Sequence, residues 1–532
     1  MLKTKIITFS ICVVAGFSPA MAQFDSLNFS ANGKNFLENN NASLINQTNI
    51  ASVSKAEVFA IAQKNGFRNY NQAAKSISAG ADVQSFYKFN SKVSGYGKIS
   101  YENFTGKDMH GSVFIFPEQM PFDIVEQADT NCGTKNLEKY NIIGAIGAKV
   151  LKDFSVGVKF DYITANYAKR KDLRHKNSLM DLSLSAGISY DFGFIQTGAN
   201  YIYRRRNESI KFNTFGTADK TYNSIISYAV FWGLREEFGT EGFTDKSREM
   251  PLFDQYNGFN YQFLINISPK IQWFNDFGLS WRDGKYGRKG QYTIEYEKHN
   301  SDIINISGSF FIKSNKLTQS INYNAKQEKL NVFRNIYTSE TFEGGLTNYI
   351  YHDKLKISQK QNESININYN LLYFSNFKDL NQIWDFNIST VFNRRATIGV
   401  VYPFYRRQDI KTKELSVSLS QTNYTQNNTE LKFTIGGAMK KGSGHPYIDG
   451  WYVEPNYNLS NPPESTVCIF EEYEYLCKPH IDLNAAAKIA RKMFSESIKG
   501  YVSINYNHTQ AKNTIYLKNT ANTIAISIEF EL

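Results

Sequence analysis

Residues 180–192 read MDLSLSAGISYDF. Met180, Leu182, Leu184, Ala186, Ile188, Tyr190 and Phe192 alternate with Asp181, Ser183, Ser185, Gly187, Ser189 and Asp191. Strict period two over this length marks a β-strand whose two faces meet different surroundings. Strand length then separates the two folds that show such alternation. A soluble sandwich uses strands of about 5–6 residues, whereas a tilted membrane crossing needs about 9–11. The stretch fits the crossing.

The pattern extends outward from this segment. Phe154, Val156, Val158, Phe160 and Tyr162 alternate with Ser155, Gly157, Lys159 and Asp161; Phe259 to Ile267 and Ile524 to Phe530 repeat it. Tight turns at Leu151-Lys152-Asp153, Asp191-Phe192-Gly193, Ser268-Pro269-Lys270 and Lys313 to Lys316 contrast with long segments at 105–137, 207–256, 330–345 and 441–480. One short rim and one elaborate rim is the build of an outer-membrane barrel, with short periplasmic turns and long outer loops. A closed barrel is also the β arrangement that pairs every backbone group in lipid. The fold class expected is all-β, a transmembrane antiparallel β-barrel of about 16–20 strands, 18 being preferred because bacterial single-chain barrels are even-numbered. Tyr201, Tyr203, Phe231, Trp232, Trp273, Trp281, Tyr373, Trp384, Tyr402, Phe404 and Tyr405 lie toward strand ends, where an aromatic girdle belongs. The competing assignment for these rings is the core of a large soluble β-protein.

Composition agrees. The 532 residues are 15% aromatic, yet mean hydropathy is −0.43, so rings coexist with polar residues nearly everywhere. No apolar run long enough for a membrane helix follows residue 22, and disordered chains are poor in aromatic and β-branched residues. Residues 1–22 read as a cleaved secretory signal: Lys3 and Lys5 are the basic region, Ile6 to Phe17 the apolar region, and Ala20-Met21-Ala22 the cleavage site. Ile11 before Cys12 argues against a lipoprotein signal. The formal charge of +11 stays basic after cleavage. Residues 23–80 break the alternation, are rich in Asn, and carry a helix-like run from Ser54 to Lys64 that Gly66 would end. They are expected to be an N-terminal extension or a plug, with the barrel at 81–532.

These residues resemble a family of uncharacterised outer-membrane β-barrel proteins of Gram-negative bacteria, of unknown function. Gly97-Lys98-Ile99-Ser100-Tyr101, Met120-Pro121-Phe122-Asp123 with Ala128-Asp129-Thr130, and the succession of long strands from Asn141 to Tyr203 carry the resemblance. It implies a fold and a compartment and supplies no catalytic residues. One departure is the C-terminus, Phe530-Glu531-Leu532, where barrels usually end in an aromatic residue.

Few constellations carry chemistry. Cys468 and Cys477 share a long outer loop in an oxidising compartment, so a disulfide is expected between them, with Cys132 left over. Pro462, Pro463 and Pro479 already restrict that loop. The alternative is a metal held by Cys477 and His480 with Glu471, Glu472 and Glu474. Histidines at 110, 175, 299, 445, 480 and 508 fall in or near outer loops. No G-x-S-x-G or H-E-x-x-H string appears, so neither an enzyme nor a cofactor is expected. The basic residues are scattered, which argues against nucleic acid. Arg170, Arg174, Arg204, Arg205, Arg206, Arg288, Arg406 and Arg407 form a candidate rim contacting lipopolysaccharide, because guanidinium pairs directly with lipid-linked phosphate. Lys169, Lys171, Lys285 and Lys289 accompany them, and a solvated loop is the plainer assignment.

The expected location is therefore the cell outer membrane, and the expected role a transport conduit or an accessory of a solute uptake system. Expected partners are outer-membrane lipid including lipopolysaccharide, the barrel-insertion machinery, and other outer-membrane or periplasmic uptake components. The alternatives are a non-transporting anchor that presents outer binding loops and, behind it, a barrel-embedded hydrolase.

Overall fold

The computed structural model describes residues 36–37, 39–47, 52–126, 132–215, 222–238, 250–290, 293–342, 347–377, 380–425, 429–493 and 498–532. The signal assigned to residues 1–22 lies outside them.

Eighteen antiparallel strands, the preferred number, close into one barrel. Each pairs with its neighbours in chain order, and the first, Val53–Asn65, pairs with the last, Thr520–Glu531. The run Ser54 to Lys64, expected as a short helix, is thus a strand, and the barrel begins at Val53, earlier than residue 81. Its Ala, Glu and Lys content suits a helix locally, but this segment closes the cylinder and is hydrogen-bonded along both edges. Tertiary pairing overrides a helix preference that amounts to roughly a few tenths of a kcal/mol per residue.

Burial along Arg174–Asp191 excludes the soluble assignment. Leu184, Ile188 and Tyr190 are 44%, 50% and 42% exposed, while Ser185 and Ser189 between them are 8% and 2% exposed. A soluble core would hide the first set; here the apolar stripe faces outward, as lipid requires. The outward apolar band runs about nine to eleven residues up from the short turns, the span of one tilted crossing. This is the belt of an outer-membrane barrel.

Above the belt the chemistry of the two faces reverses while the geometry does not. Along Ile195–Asn213, Tyr201 faces outward and Asn200 inward; higher up, Arg205 and Lys211 are exposed and Ile210 and Phe212 are buried. The outer third is consequently built like a soluble β-protein and filled by its own loops. Gly111–Ser112, Asp123–Glu126, Tyr222–Ala229 and Trp232–Phe238 form a second, four-stranded sheet. Val113, Phe114, Met120, Phe122 and Ile124 from this cap pack against wall residues Ile210, Phe212, Leu252, Leu330 and Val332. Burying a side chain of this size contributes about 1.5–3 kcal/mol, so the cap is a packed lid. Phe231, Trp232 and Phe404, expected in the aromatic girdle, are buried, the first two in this cap; Trp273, Trp281, Tyr373 and Tyr402 are exposed. The expected loop 330–345 is largely strand, because Leu317–Thr341 and Thr347–Phe377 continue as a projecting hairpin.

Candidate functional site

Segments of the chain enter the lumen at both ends, and the space between them is the candidate site. At the end with short turns, residues 39–47 lie against the inner wall. The turn Ala42–Gln47 contacts the strands Val93–Met109, Gly133–Lys149, Phe154–Lys169 and Arg174–Asp191. It enters a trough made by glycines. Gly147, Gly157 and Gly187 stand directly opposite one another on three successive strands. A β-carbon would lie 2.5 Å from the Ala42 carbonyl oxygen at Gly147, 2.2 Å from the Ser43 nitrogen at Gly157 and 2.2 Å from Asn41 Oδ1 at Gly187. Only glycine leaves room for this approach.

Polar groups of the wall then fix the segment. Ser185 Oγ donates to the Asn40 carbonyl at 2.5 Å and Lys159 Nζ to the Asn39 carbonyl at 2.9 Å. Asn41, fully buried, donates to the Ile188 carbonyl at 3.1 Å and to Gln262 Oε1 at 3.0 Å, and Asn39 donates to Asp276 at 2.8 Å. Apolar residues anchor its ends: Phe36 and Leu44 meet Leu264 and Phe274, while Leu37 and Ile45 meet Val53 and Phe86. The first set of wall residues lies on the eighth and ninth strands of eighteen and the second on the first and second, so the segment reaches across the lumen as a chord.

At the outer end, wall cations reach into the cap. Lys360 Nζ donates to the Met120 carbonyl at 3.0 Å, Arg282 Nη1 to the Gln119 carbonyl at 3.0 Å and Arg206 Nη1 to Gln119 Oε1 at 2.7 Å. Arg282 also forms a paired contact with Asp254 at 2.7 and 2.9 Å, and Asp254 is held by His299 at 2.6 Å. Lys135 meets Glu126 at 2.6 Å, and Lys169 pairs with the same carboxylate. Burial pushes the Glu126 carboxyl up, but these two cations outweigh it and bring it down to about 2. Asp123 differs. Burial raises it to about 7 despite hydrogen bonds from Ser112 and Tyr70, because no cation sits in direct contact among the described residues. Both carboxylates belong to the cap sheet, above the lipid belt.

The helix Thr466–Cys477 straps these parts together and is stopped by Pro479. Each of three glutamates holds a different segment. Glu471 accepts from His110 at 2.8 Å, Glu472 takes both nitrogens of Arg395 at 2.7 and 2.6 Å, and Glu474 accepts the N–H groups of Ile515, Tyr516 and Leu517 at 2.7, 2.9 and 3.0 Å. Below the cap lies a cavity of about 490 Å³, with Tyr70, Gln119, Glu328, Lys360, Arg395 and Glu472 on its wall. A second, also about 490 Å³, has Gln63, Gln72, Glu414, Lys440, His480 and Asp482. Both have the size of small-solute sites; the second is lined mainly by polar surface, and the first mixes apolar surface with charged side chains.

The expected disulfide is not formed: Cys468 and Cys477 are not bridged. The cysteines sit nine positions apart on one helix, which separates them by about 13 Å at 1.5 Å per residue, far beyond the ~7 Å limit for bridged α-carbons. Cys468 instead approaches His110, as does Cys132 at 3.5 Å. Burial lowers the His110 pKa, but the two thiols and Glu471 outweigh it and raise it to about 11. A ring held as imidazolium is a structural clip and not a general base at neutral pH. The residues of the metal alternative are engaged separately: Glu471, Glu472 and Glu474 are taken by three different partners and His480 packs on Phe67.

The arginines divide by parity. Arg204 pairs with Asp181 at 2.6 Å, Arg206 is buried beside Glu208, and Arg406 is buried against Asp449 and Glu464; all three are removed from the outer rim. Arg174 pairs with Asp172. Arg170, Arg205, Arg288 and Arg407 remain exposed. Three successive arginines cannot share a face of a strand, and this signal was present in the sequence. The glycine row and the helix strap were not signalled, because both depend on which strands become neighbours.

Residues 42–532 match the Family of unknown function (DUF6850). No curated protein matches the chain. Among solved structures, BauA, the ferric preacinetobactin receptor from Acinetobacter baumannii, is similar at 10% identity, with 90% of this chain and 80% of that one covered and a TM-score of 0.39. The FrpB iron transporter from Neisseria meningitidis is similar at 9% identity, covering 92% and 83%, with a TM-score of 0.37. The outer membrane transporter YddB from Escherichia coli is similar at 8%, covering 90% and 81%, with a TM-score of 0.38.

Proposed function

Because the chain belongs to the Family of unknown function (DUF6850), which lends it no activity, we propose its role from its geometry: a gated outer-membrane conduit for a small polar solute. The observation that carries this reading is a cavity with charged walls beneath the cap sheet, in a lumen that the segment of residues 39–47 enters from the other end. A barrel serving only as an anchor has no need of polar cavities with charged walls. Passage requires one closure to move at a time, and the lower one is held by a handful of hydrogen bonds, each worth about 1 kcal/mol, and by the apolar anchors Phe36, Leu37, Leu44 and Ile45. Work alongside other outer-membrane or periplasmic uptake components, and insertion by the barrel-assembly machinery, belong to the same proposal.

Planar-bilayer recording of the purified full chain tests it. The intact protein gives a closed baseline; deleting residues 36–47 together with cap residues 113–124 opens an ohmic pore, with heat-modifiable migration showing that the barrel is intact. A folded double variant that stays silent removes the conduit reading.

The anchor reading has one observation in its favour. Trp451, Tyr452, Val453, Tyr457 and Leu459 are all more than half exposed on one outer segment, an apolar surface of the kind that receives a partner.

A further inference from the structure

On the outer face of the barrel, immediately above the lipid belt, basic side chains occupy one continuous cross-strand row. Phe253 stands opposite Lys285, Lys285 opposite Lys298, Lys298 opposite Phe333, and Phe333 opposite Lys356. Lys285 and Lys298 are therefore directly facing cations, an arrangement that destabilises a sheet unless something compensates. They share one carboxylate, Glu295, at 3.6 and 3.7 Å. Lys176 and Lys211 face each other in the same way on the two strands Arg174–Asp191 and Ile195–Asn213. Around the row, Arg205, Arg288 and Lys354 are exposed, and among the described residues no ion pair engages them. Asp283 is the one carboxylate of the ledge that shares their outward face among the described residues.

The ledge has a shape as well as a charge. Tyr203, Arg205, Phe253, Lys285, Lys298 and Phe333 enclose an open pocket of about 580 Å³. The rings brace the cations: Lys285 Nζ lies 6.0 Å from the Phe253 ring and Lys354 Nζ lies 4.6 Å from the Phe333 ring. Directly below are lipid-facing Tyr201, Phe259, Leu279 and Trp281. A ligand that fits has an anionic head at this height and an acyl body lying along the belt.

We propose that this ledge binds the phosphate-bearing headgroup of a lipid of the outer leaflet. Arg205, Lys285, Lys298 and Lys354 pair with phosphate oxygens, and the facing lysines gain counter-charge beyond the single carboxylate they share. The proposal depends on the barrel lying in a membrane and not on the conduit reading.

The test uses the purified full chain in detergent with three probes: bis-phosphorylated lipid A, dephosphorylated lipid A and inorganic phosphate. Lipid A carrying phosphates is expected to remain bound in native mass spectrometry and to raise the melting temperature; the dephosphorylated lipid is expected to bind at least tenfold more weakly. The pair Lys285→Gln and Lys298→Gln is expected to lose at least tenfold in affinity for the phosphorylated lipid while melting no lower than the parent in lipid-free detergent, since a like-charge pair has been removed. Equal binding of phosphorylated and dephosphorylated lipid overturns the proposal. So does unchanged binding in the variant, and so does inorganic phosphate competing as strongly as the lipid, which reassigns the ledge to a free anion.

Discussion

Asn41 Oδ1 lies 2.2 Å from the point where a β-carbon on Gly187 would stand. The wall glycine and the luminal asparagine therefore occupy one another's space, and the lower closure depends on a missing methyl group. Gly187→Val is expected to expel residues 39–47, removing about 2–3 kcal/mol of docking from the lost hydrogen bonds. The measurement is protease sensitivity of that segment together with bilayer conductance, both of which rise. Gly97→Ala is the silent control, because its β-carbon meets only the Ile143 carbonyl oxygen at 3.9 Å. A Gly187→Val protein with a protected segment would refute the docking geometry.

Leu184 and Ser185 are neighbours on opposite faces. Leu184→Arg is expected to cost about 2–4 kcal/mol by placing a charge in the lipid belt. Ser185→Arg leaves the barrel folded but displaces the Asn40 carbonyl that Ser185 holds at 2.5 Å, so its effect is read in conductance. Equal losses of barrel stability at both positions in denaturant titration would mean that the faces are misassigned.

Glu474 accepts three backbone N–H groups from residues 515–517. Glu474→Ala leaves these donors without the carboxylate, and the buried one, on Leu517, costs about 1–3 kcal/mol when unpaired. Hydrogen exchange at residues 515–517 should accelerate by at least tenfold while exchange in Arg174–Asp191 stays unchanged. No change in the loop would show that water replaces the carboxylate at no cost.

Cys468 and Cys477 point to different partners along one helix, so peptide mapping of unreduced protein is expected to find no link between them. His110→Ala removes the group that both Cys132 and Cys468 approach. Alkylation of Cys468 in the native protein should then slow severalfold, because the imidazolium that lowers its thiol pKa against burial is gone. A Cys468–Cys477 cross-linked peptide would require the helix to unwind and would contradict the strap.

The cap carries two carboxylates with opposite pH behaviour. Burial raises Asp123 to about 7, so its protonated form favours the closed cap, and that contribution is lost as pH rises through 7. Burial of Glu126 is outweighed by Lys135 and Lys169, which bring it down to about 2; its contribution is present above about pH 4.5, the usual glutamate value, and disappears as pH falls toward 2. Hydrogen-exchange protection of Ile124 and Val125, after correction for the intrinsic pH dependence of exchange, should therefore fall as pH rises from about 4 to 7 and also as pH falls from about 4.5 toward 2. Asp123→Asn should abolish the first loss and keep the second. A variant with both losses intact would assign the neutral-pH transition to another group.

The sequence by itself determined the barrel, the two unlike rims and the face that meets lipid, and bounded the strands at about 16–20, because period-two chemistry in segments of membrane-crossing length is a local property that each strand declares alone. Met180 to Phe192 is enough to read it. Parity within a strand was equally legible: Arg204, Arg205 and Arg206 have to alternate faces, and they do. Tertiary structure decided the rest. Ser54 to Lys64 became a strand only because the closing cylinder offered it two edges. The row Gly147, Gly157 and Gly187 exists only through the register of three strands, and the pairing of Cys468 with His110 only because a helix carries Cys477 away. These are relations between residues far apart in the chain, fixed when the barrel brings particular strands side by side, and no single segment contains them.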